Sequence, residues 1–129
     1  MGNNRLTNLR VAMQLQGLEA ILLTNPVNRR YVTGFTGSSG YALVTADRAY
    51  LLTDFRYMEQ AAAEVKGFEV VEHASLAIAT VKDLLDRAHI RRLGFEHHHL
   101  TVGTHQEYAA QLGIIELVPS AGLVEKLRN

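Results

Sequence analysis

Three short stretches carry side chains of the kind that perform chemistry, and each asks for a different arrangement. In YVTGFTGSSGYALVT, Tyr31 to Thr45, three glycines are interleaved with serine and threonine hydroxyls. A phosphate cradle of the P-loop kind needs such glycines followed by Lys-Ser/Thr at the opening of a helix. Here Gly40 leads into Tyr41 and a strand-like run, and the first lysine of the chain is Lys66. A nucleophile elbow needs Gly-x-Ser-x-Gly on a strand-to-helix turn. Gly37-Ser38-Ser39-Gly40 spaces its glycines three apart and precedes a strand. The stretch is therefore expected to be a connector, whose small residues let the chain reverse and enter a hairpin at close quarters.

The second stretch is EHHHL, Glu96 to Leu100. Successive side chains diverge on a strand or helix, so three consecutive histidines do not converge on one ion. His73, His89 and His105 are scattered, no His-Glu-x-x-His helix occurs and there is no cysteine, which removes the usual zinc-ligand spacings. A solvated strand-to-helix connection is expected, with His105 partly buried on an apolar helix face. The aspartates are Asp47, Asp54, Asp83 and Asp86, and none has an evident partner that would split two carboxyl pKa values. No catalytic residue and no metal ligand is assigned.

The third stretch is TDFRYMEQA, Thr53 to Ala61. With Thr53 or Asp54 as helix cap, Arg56 falls in the first turn, where the helix dipole favours anions. A cation there is unhelpful to the helix unless it serves another contact. Phe55, Met58, Ala62 and Val65 are expected to form the buried stripe. Arg56 then either projects outward near the end of the hairpin or pairs on the surface with Glu59 or Glu64.

These stretches must be positioned by the elements around them. Asn3 or Asn4 is expected to cap a first helix with Leu6, Leu9 and Met13 on one face, ended by Gly17. Ala20 to Leu23, AILL, suits a central strand covered on both sides. Asn25-Pro26 opens a short helix through Val32. YALVT and AYLLT, joined by Ala46-Asp47-Arg48, predict a β-hairpin. FEVVE is a strand. Ile78, Val81, Leu85 and Ala88 mark a helix face, with Lys82/Asp86 and Asp83/Arg87 as exposed pairs. RRLGFE is a strand, and Thr101 caps a helix with Val102, His105, Ala109 and Leu112 on one side, stopped by Gly113. IIELV is the last strand, closed by Pro119, and the tail SAGLVEKLRN starts as a capped segment. Helices alternating with apolar strands predict an α/β layer structure, and the hairpin makes its sheet mixed.

The chain has 129 residues, 47% of them hydrophobic, enough for one core. Thirteen Lys+Arg balance thirteen Asp+Glu, so nothing announces a nucleic-acid partner. The apolar runs are far shorter than the roughly 20 residues that span a bilayer, and MGNNRLTNLR lacks the apolar core of a signal peptide. The absence of cysteine fits a reducing compartment. A cytoplasmic protein without membrane contact is expected.

NRRYVTGFTGSSGYALVT, AYLLTDFRYMEQAAAEV, LGFEHHHLT and LVPSAGLVEKLR, taken together, resemble the N-terminal domain of the aminopeptidase P, prolidase and creatinase family. The resemblance covers essentially the whole chain and looks most like the bacterial Xaa-Pro dipeptidase and aminopeptidase type. It implies one three-layer α/β domain over residues 1–129, a ribonuclease-H-like mixed sheet with a hairpin, flanked by helices. It also implies a C-terminal "pita-bread" catalytic domain that holds two divalent metals, Mn, Co or Zn, through two aspartates, a histidine and two glutamates. That domain is absent here, so EKLRN is expected to be a domain cut. The fragment alone is expected to be inactive. Within a homo-oligomeric enzyme acting on proline-containing peptides, it would contribute to substrate access and subunit contacts.

In some members the arginine of the Asp-x-Arg-Tyr motif reaches into the active site, which implies substrate contact by Arg56 and, more weakly, Tyr57. Phe55 stands in a slot where some relatives carry glycine. The rival expectation is a self-sufficient small-ligand or protein-binding α/β domain.

Overall fold

The structure, a computed structural model, describes residues 4–128. In chain order it comprises α1 (Asn4–Leu15), β1 (Ala20–Leu23), α2 (Pro26–Thr33), β2 (Tyr41–Thr45) and β3 (Ala49–Thr53). A single 3-10 turn (Phe55–Tyr57) then leads into α3 (Met58–Glu64) and β4 (Glu69–Glu72). The remaining elements are α4 (Ala77–Arg87), β5 (Arg92–Glu96), α5 (Val102–Leu112), β6 (Glu116–Ser120) and α6 (Leu123–Arg128).

The six strands form one sheet in the order β4-β3-β2-β1-β5-β6. β2 is antiparallel to both neighbours, and the β3–β4, β1–β5 and β5–β6 pairs are parallel. Five strands therefore run one way and β2 alone runs back, as a hairpin within an α/β layer structure requires. In the hairpin Thr45 pairs with Ala20 on one side, and Thr45 N–H donates to Arg48 C=O across the turn at 2.8 Å.

β1 is buried on every position because its alternating side chains serve two cores. Ile21 and Leu23 meet Leu6, Leu9 and Met13 of α1 together with Leu123 and Val124 of α6. Ala20 and Leu22 meet Ile78, Val81 and Leu85 of α4 and Leu112 of α5. Phe35, Leu51, Ala61 and Val65 make a third cluster under α3. The result is the expected three-layer α/β arrangement, with helices on both faces of a mixed sheet.

Several local expectations are corrected. Asn4 is already helical, and Asn3 lies outside the described residues. Phe55 is 75% exposed and Ala62 is exposed, whereas Ala61 and Val65 are buried. The reason is the 3-10 turn, whose different residue spacing shifts the phase of the helix behind it. In α5, Val102 is exposed and Ala109 lies outward; Leu112 is buried and Tyr108 packs against the core. Ala88 is likewise exposed at the end of α4. Pro119 does not close β6 but pairs within it, opposite Phe95. β6 is an edge strand, so a residue without an N–H is tolerated on its open side.

Candidate functional site

The carboxyl ends of the five co-directional strands and the start of β2 share one edge of the sheet. In open α/β sheets this is the edge at which ligands bind. Here it gathers Thr24 and Asn25 after β1, the glycine stretch before β2, Asp54 to Tyr57 after β3, His73 after β4 and His97 to His99 after β5.

The glycine stretch is wound around a buried cation. Arg29 of α2 is 4% exposed. Its Nη1 donates to the Gly40 carbonyl at 2.8 Å and its Nη2 to the Gly37 carbonyl at 2.6 Å. Gly34 ends α2 in the left-handed region, φ 81°, a conformation glycine adopts at no steric cost. A Cβ on Gly37 would sit 2.2 Å from Cζ of Phe35, so the ring and the backbone need each other's space. Thr53 Oγ1 donates to the Ser39 carbonyl at 2.7 Å and closes the loop onto β3. The stretch is thus a connector, as its composition implies.

A second buried polar group fixes the far side of the edge. Glu96, 8% exposed, accepts through Oε1 from the backbone N–H of Thr24 at 2.6 Å and of Asn25 at 2.8 Å. Its Oε2 accepts from Nδ2 of Asn28 at 2.6 Å, and the same nitrogen donates to Glu125 Oε2 at 2.9 Å. A carboxylate beside the start of α2 is stabilised by those N–H groups and by the dipole. His97, His98 and His99 are exposed, and Nδ1 of His99 lies 2.8 Å from Oγ1 of Thr24. Among the described residues no group of three or more His, Asp or Glu side chains is placed to hold a metal ion.

Arg56 and Tyr57 lie on the turn after β3, beside the glycine stretch. Asp54 caps the 3-10 turn, accepting from the Arg56 N–H at 3.0 Å. The same carboxylate takes Nε of Arg56 on Oδ1 and Nη2 on Oδ2, both at 2.9 Å. The surface partner of Arg56 is therefore Asp54, not the expected Glu59 or Glu64. Glu64 instead accepts from the N–H and hydroxyl of Thr36, which hold its carboxyl below the usual range. The Arg56 side chain is 62% exposed and that of Asp54 21%. The hydrogen bonds from the Arg56 side chain, above all, hold the Asp54 carboxyl down at about 2. Tyr57 packs edge-on against Phe35 at 6.0 Å, and its hydroxyl lies 2.6 Å from Oγ of Ser38. The turn is in this way tied to the glycine stretch.

Beside the turn a cleft of about 440 Å³ opens between the glycine stretch and α5, lined by Arg29, Ser38, Ser39, Tyr41, Thr104 and Tyr108 among others. Burial pushes the Tyr108 hydroxyl up to about 12. Phe55, Leu76 and Val102, all exposed, lie at the same edge after β3, before α4 and at the start of α5.

The Creatinase/Prolidase N-terminal domain model matches residues 5–129. The chain belongs to that family. It is 47% identical over 124 residues to the uncharacterized peptidase YqhT of Bacillus subtilis, covering 96% of this chain and 35% of that protein. The Xaa-Pro dipeptidase of Bacillus anthracis superposes with a TM-score of 0.91 at 41% identity, covering 97% of this chain and 35% of the other. The N-terminal domain of cytoplasmic peptidase PepQ from Mycobacterium tuberculosis H37Rv superposes with a TM-score of 0.89 at 37% identity, covering 98% and 100% of the two chains. The chain thus spans about a third of the length of the first two relatives and all of the third. No helix among the described residues is long and apolar enough to cross a membrane.

Within this creatinase/prolidase-type domain, Arg29 and Glu96 are the polar groups that sequence reasoning missed. A signal existed for each. A glycine-rich reversal leaves carbonyls unpaired, and a buried loop must find donors for them. A carboxylate closing an otherwise apolar strand beside an Asn-Pro helix start has waiting N–H groups to accept from.

Proposed function

We propose that this domain is the non-catalytic N-terminal module of a dinuclear metal-dependent Xaa-Pro peptidase, and that it shapes substrate access and subunit contacts. Arg56 is the residue that faces the peptide, and Tyr57 is chiefly its anchor. The observation that carries this reading is the placement of Arg56: a solvent-facing guanidinium, on a turn tied to the core, at the ligand-binding edge of the sheet. The relatives named as an Xaa-Pro dipeptidase and a cytoplasmic peptidase support the substrate class and a cytoplasmic setting.

The described residues do not offer a ligand set for two Mn, Co or Zn ions. We assign those ions to a companion catalytic domain. What this chain supplies is a planar fork of donors suited to a carboxylate or carbonyl and an apolar border formed by Phe55, Leu76 and Val102. The same border fits a neighbouring domain or subunit in a homo-oligomer.

The test compares residues 1–129 with the full-length protein on Ala-Pro and Ala-Pro-Ala in manganese. The expected result is turnover by the full-length protein and none by the domain. Chelator-sensitive cleavage by the isolated domain would overturn the proposal.

A further inference from the structure

The Asp54–Arg56 pair has a feature that simple ion pairing does not require. Asp54 spends both oxygens on one edge of the guanidinium, Nε and Nη2, and also receives the Arg56 backbone N–H. A guanidinium carries five N–H donors in a rigid fork, so two are committed and the Nη1 side stays open. Nη1 has no hydrogen-bond partner among the described residues. The guanidinium also lies over the ring of its neighbour, with Cζ 5.3 Å from the Tyr57 centroid. Tyr57 in turn is held by Ser38 and by Phe35, which is fully buried. A long flexible side chain is thus fixed at its base, at its inner edge and along one face, with its outer edge left to solvent.

We propose that Asp54 is a positioning residue: it pre-sets the Arg56 fork so that the open Nη1 edge meets the peptide without first having to be ordered. This rests on the reading above that Arg56 faces substrate. Two opposed effects decide the sign. A neighbouring carboxylate neutralises part of the arginine's charge, and it also removes rotamer freedom that binding would otherwise have to remove. The pair is exposed, so solvent screens the partial neutralisation, while the ordering comes from two side-chain hydrogen bonds and the Tyr57 ring acting together, with both bonds on the edge away from an incoming ligand. The ordering effect therefore wins.

The experiment is a double-mutant cycle in the full-length protein, with Ala-Pro and Ala-Pro-Ala as probes. Asp54→Asn keeps the cap acceptor and the shape while removing the charge. Asp54→Ser keeps a cap acceptor on a smaller uncharged group, should the first variant fold poorly. Each is expected to raise KM roughly five- to tenfold with kcat little changed, as loss of uniform binding does. Arg56→Ala is expected to raise KM at least as much. In the Arg56→Ala background the Asp54 substitutions should add nothing, an outcome that a merely structural turn would not give.

An equal loss in both backgrounds would overturn the inference, because Asp54 would then act through the turn. So would a lowered KM in Asp54→Asn, which would make Asp54 a competitor for the fork. If Asp54 matters and Arg56→Ala is silent, the cycle removes the substrate reading of Arg56 and this inference with it. A full-length protein that leaves both probes uncut removes the peptidase reading itself.

Discussion

Arg29 and Arg56 sit close to the same edge of the sheet and do opposite things. Arg29 is buried, has no carboxylate partner among the described residues and donates from Nη1 and Nη2 to two backbone carbonyls. Burial pulls its pKa down, yet a guanidinium stays charged in a protein. The charge is used inwardly, to hold a loop whose own backbone has no ladder to join. Arg56 is exposed, and its hydrogen bonds to Asp54 push its pKa up. Its remaining donors face water. The difference is that the buried cation spends the two ends of its fork on the fold, with only Nε left unpartnered among the described residues, whereas the exposed, clamped one has its outer edge open to something outside the fold.

The comparison breaks most easily on stability. Arg29→Ala leaves the Gly37 and Gly40 carbonyls without their donors in a buried place. At roughly 1–3 kcal/mol for each buried group left unsatisfied, the expected loss is about 3 kcal/mol, or a Tm lower by ~10 °C. Arg56→Ala, at a surface site, should stay within about 0.5 kcal/mol of wild type. Thermal unfolding of the two variants measures both. Equal losses would erase the distinction between an inward and an outward arginine.

A smaller effect sharpens the inward half. Gly37→Ala places a methyl group 2.2 Å from Cζ of Phe35, and overpacking of this kind costs about 1–3 kcal/mol. Gly103→Ala in α5 meets nothing within 4 Å and should be neutral or slightly stabilising, since alanine is the better helix former. Denaturant midpoints for the pair show whether the glycine stretch is tight because of its contacts or merely rich in small residues.

Much of this arrangement was legible in the sequence, and the failures share a cause. AILL and the YALVT/AYLLT pair have periods and lengths that admit one reading, and the structure has them as strands β1, β2 and β3. Asn25-Pro26 opens α2 through local chemistry alone, and the helix expected through Val32 runs one residue further, to Thr33. What escaped was set by partners distant in the chain. The phase of α3 depends on a 3-10 turn that Asp54 nucleates, so Phe55 was placed inward although it faces water. Glu96 bonds to residues 24, 25 and 28, which lie 68 to 72 positions away, so its place at a strand end is visible in the sequence while its partners are not. The partner of Arg56 lies two residues away in the chain, whereas the expected ones, Glu59 and Glu64, presume a helix that has not yet begun at Arg56.

The outward half can be read at the resolution of one proton. Asp54 titrates at about 2, against an ordinary 3.8, and the largest cause is the hydrogen bonding of the Arg56 side chain. Its folded-state pKa lies below the unfolded one, so the unfolded chain binds the proton more readily. The pair's stabilisation is therefore fully present above the unfolded value, near pH 4, and is lost as pH falls through about 2. In Arg56→Ala the side-chain bonds disappear while the backbone N–H of residue 56 still donates to Oδ1. The carboxyl should then titrate most of the way back toward 3.8, and not entirely. Carboxyl carbon shifts followed by NMR between pH 5 and 1.5, a range chosen to bracket the ordinary carboxylate values, give both midpoints. A midpoint unmoved by the substitution would mean that the cap, not the guanidinium, holds Asp54 ionised. Arg56 would then be no more fixed than any surface arginine, and the contrast with Arg29 would reduce to burial alone.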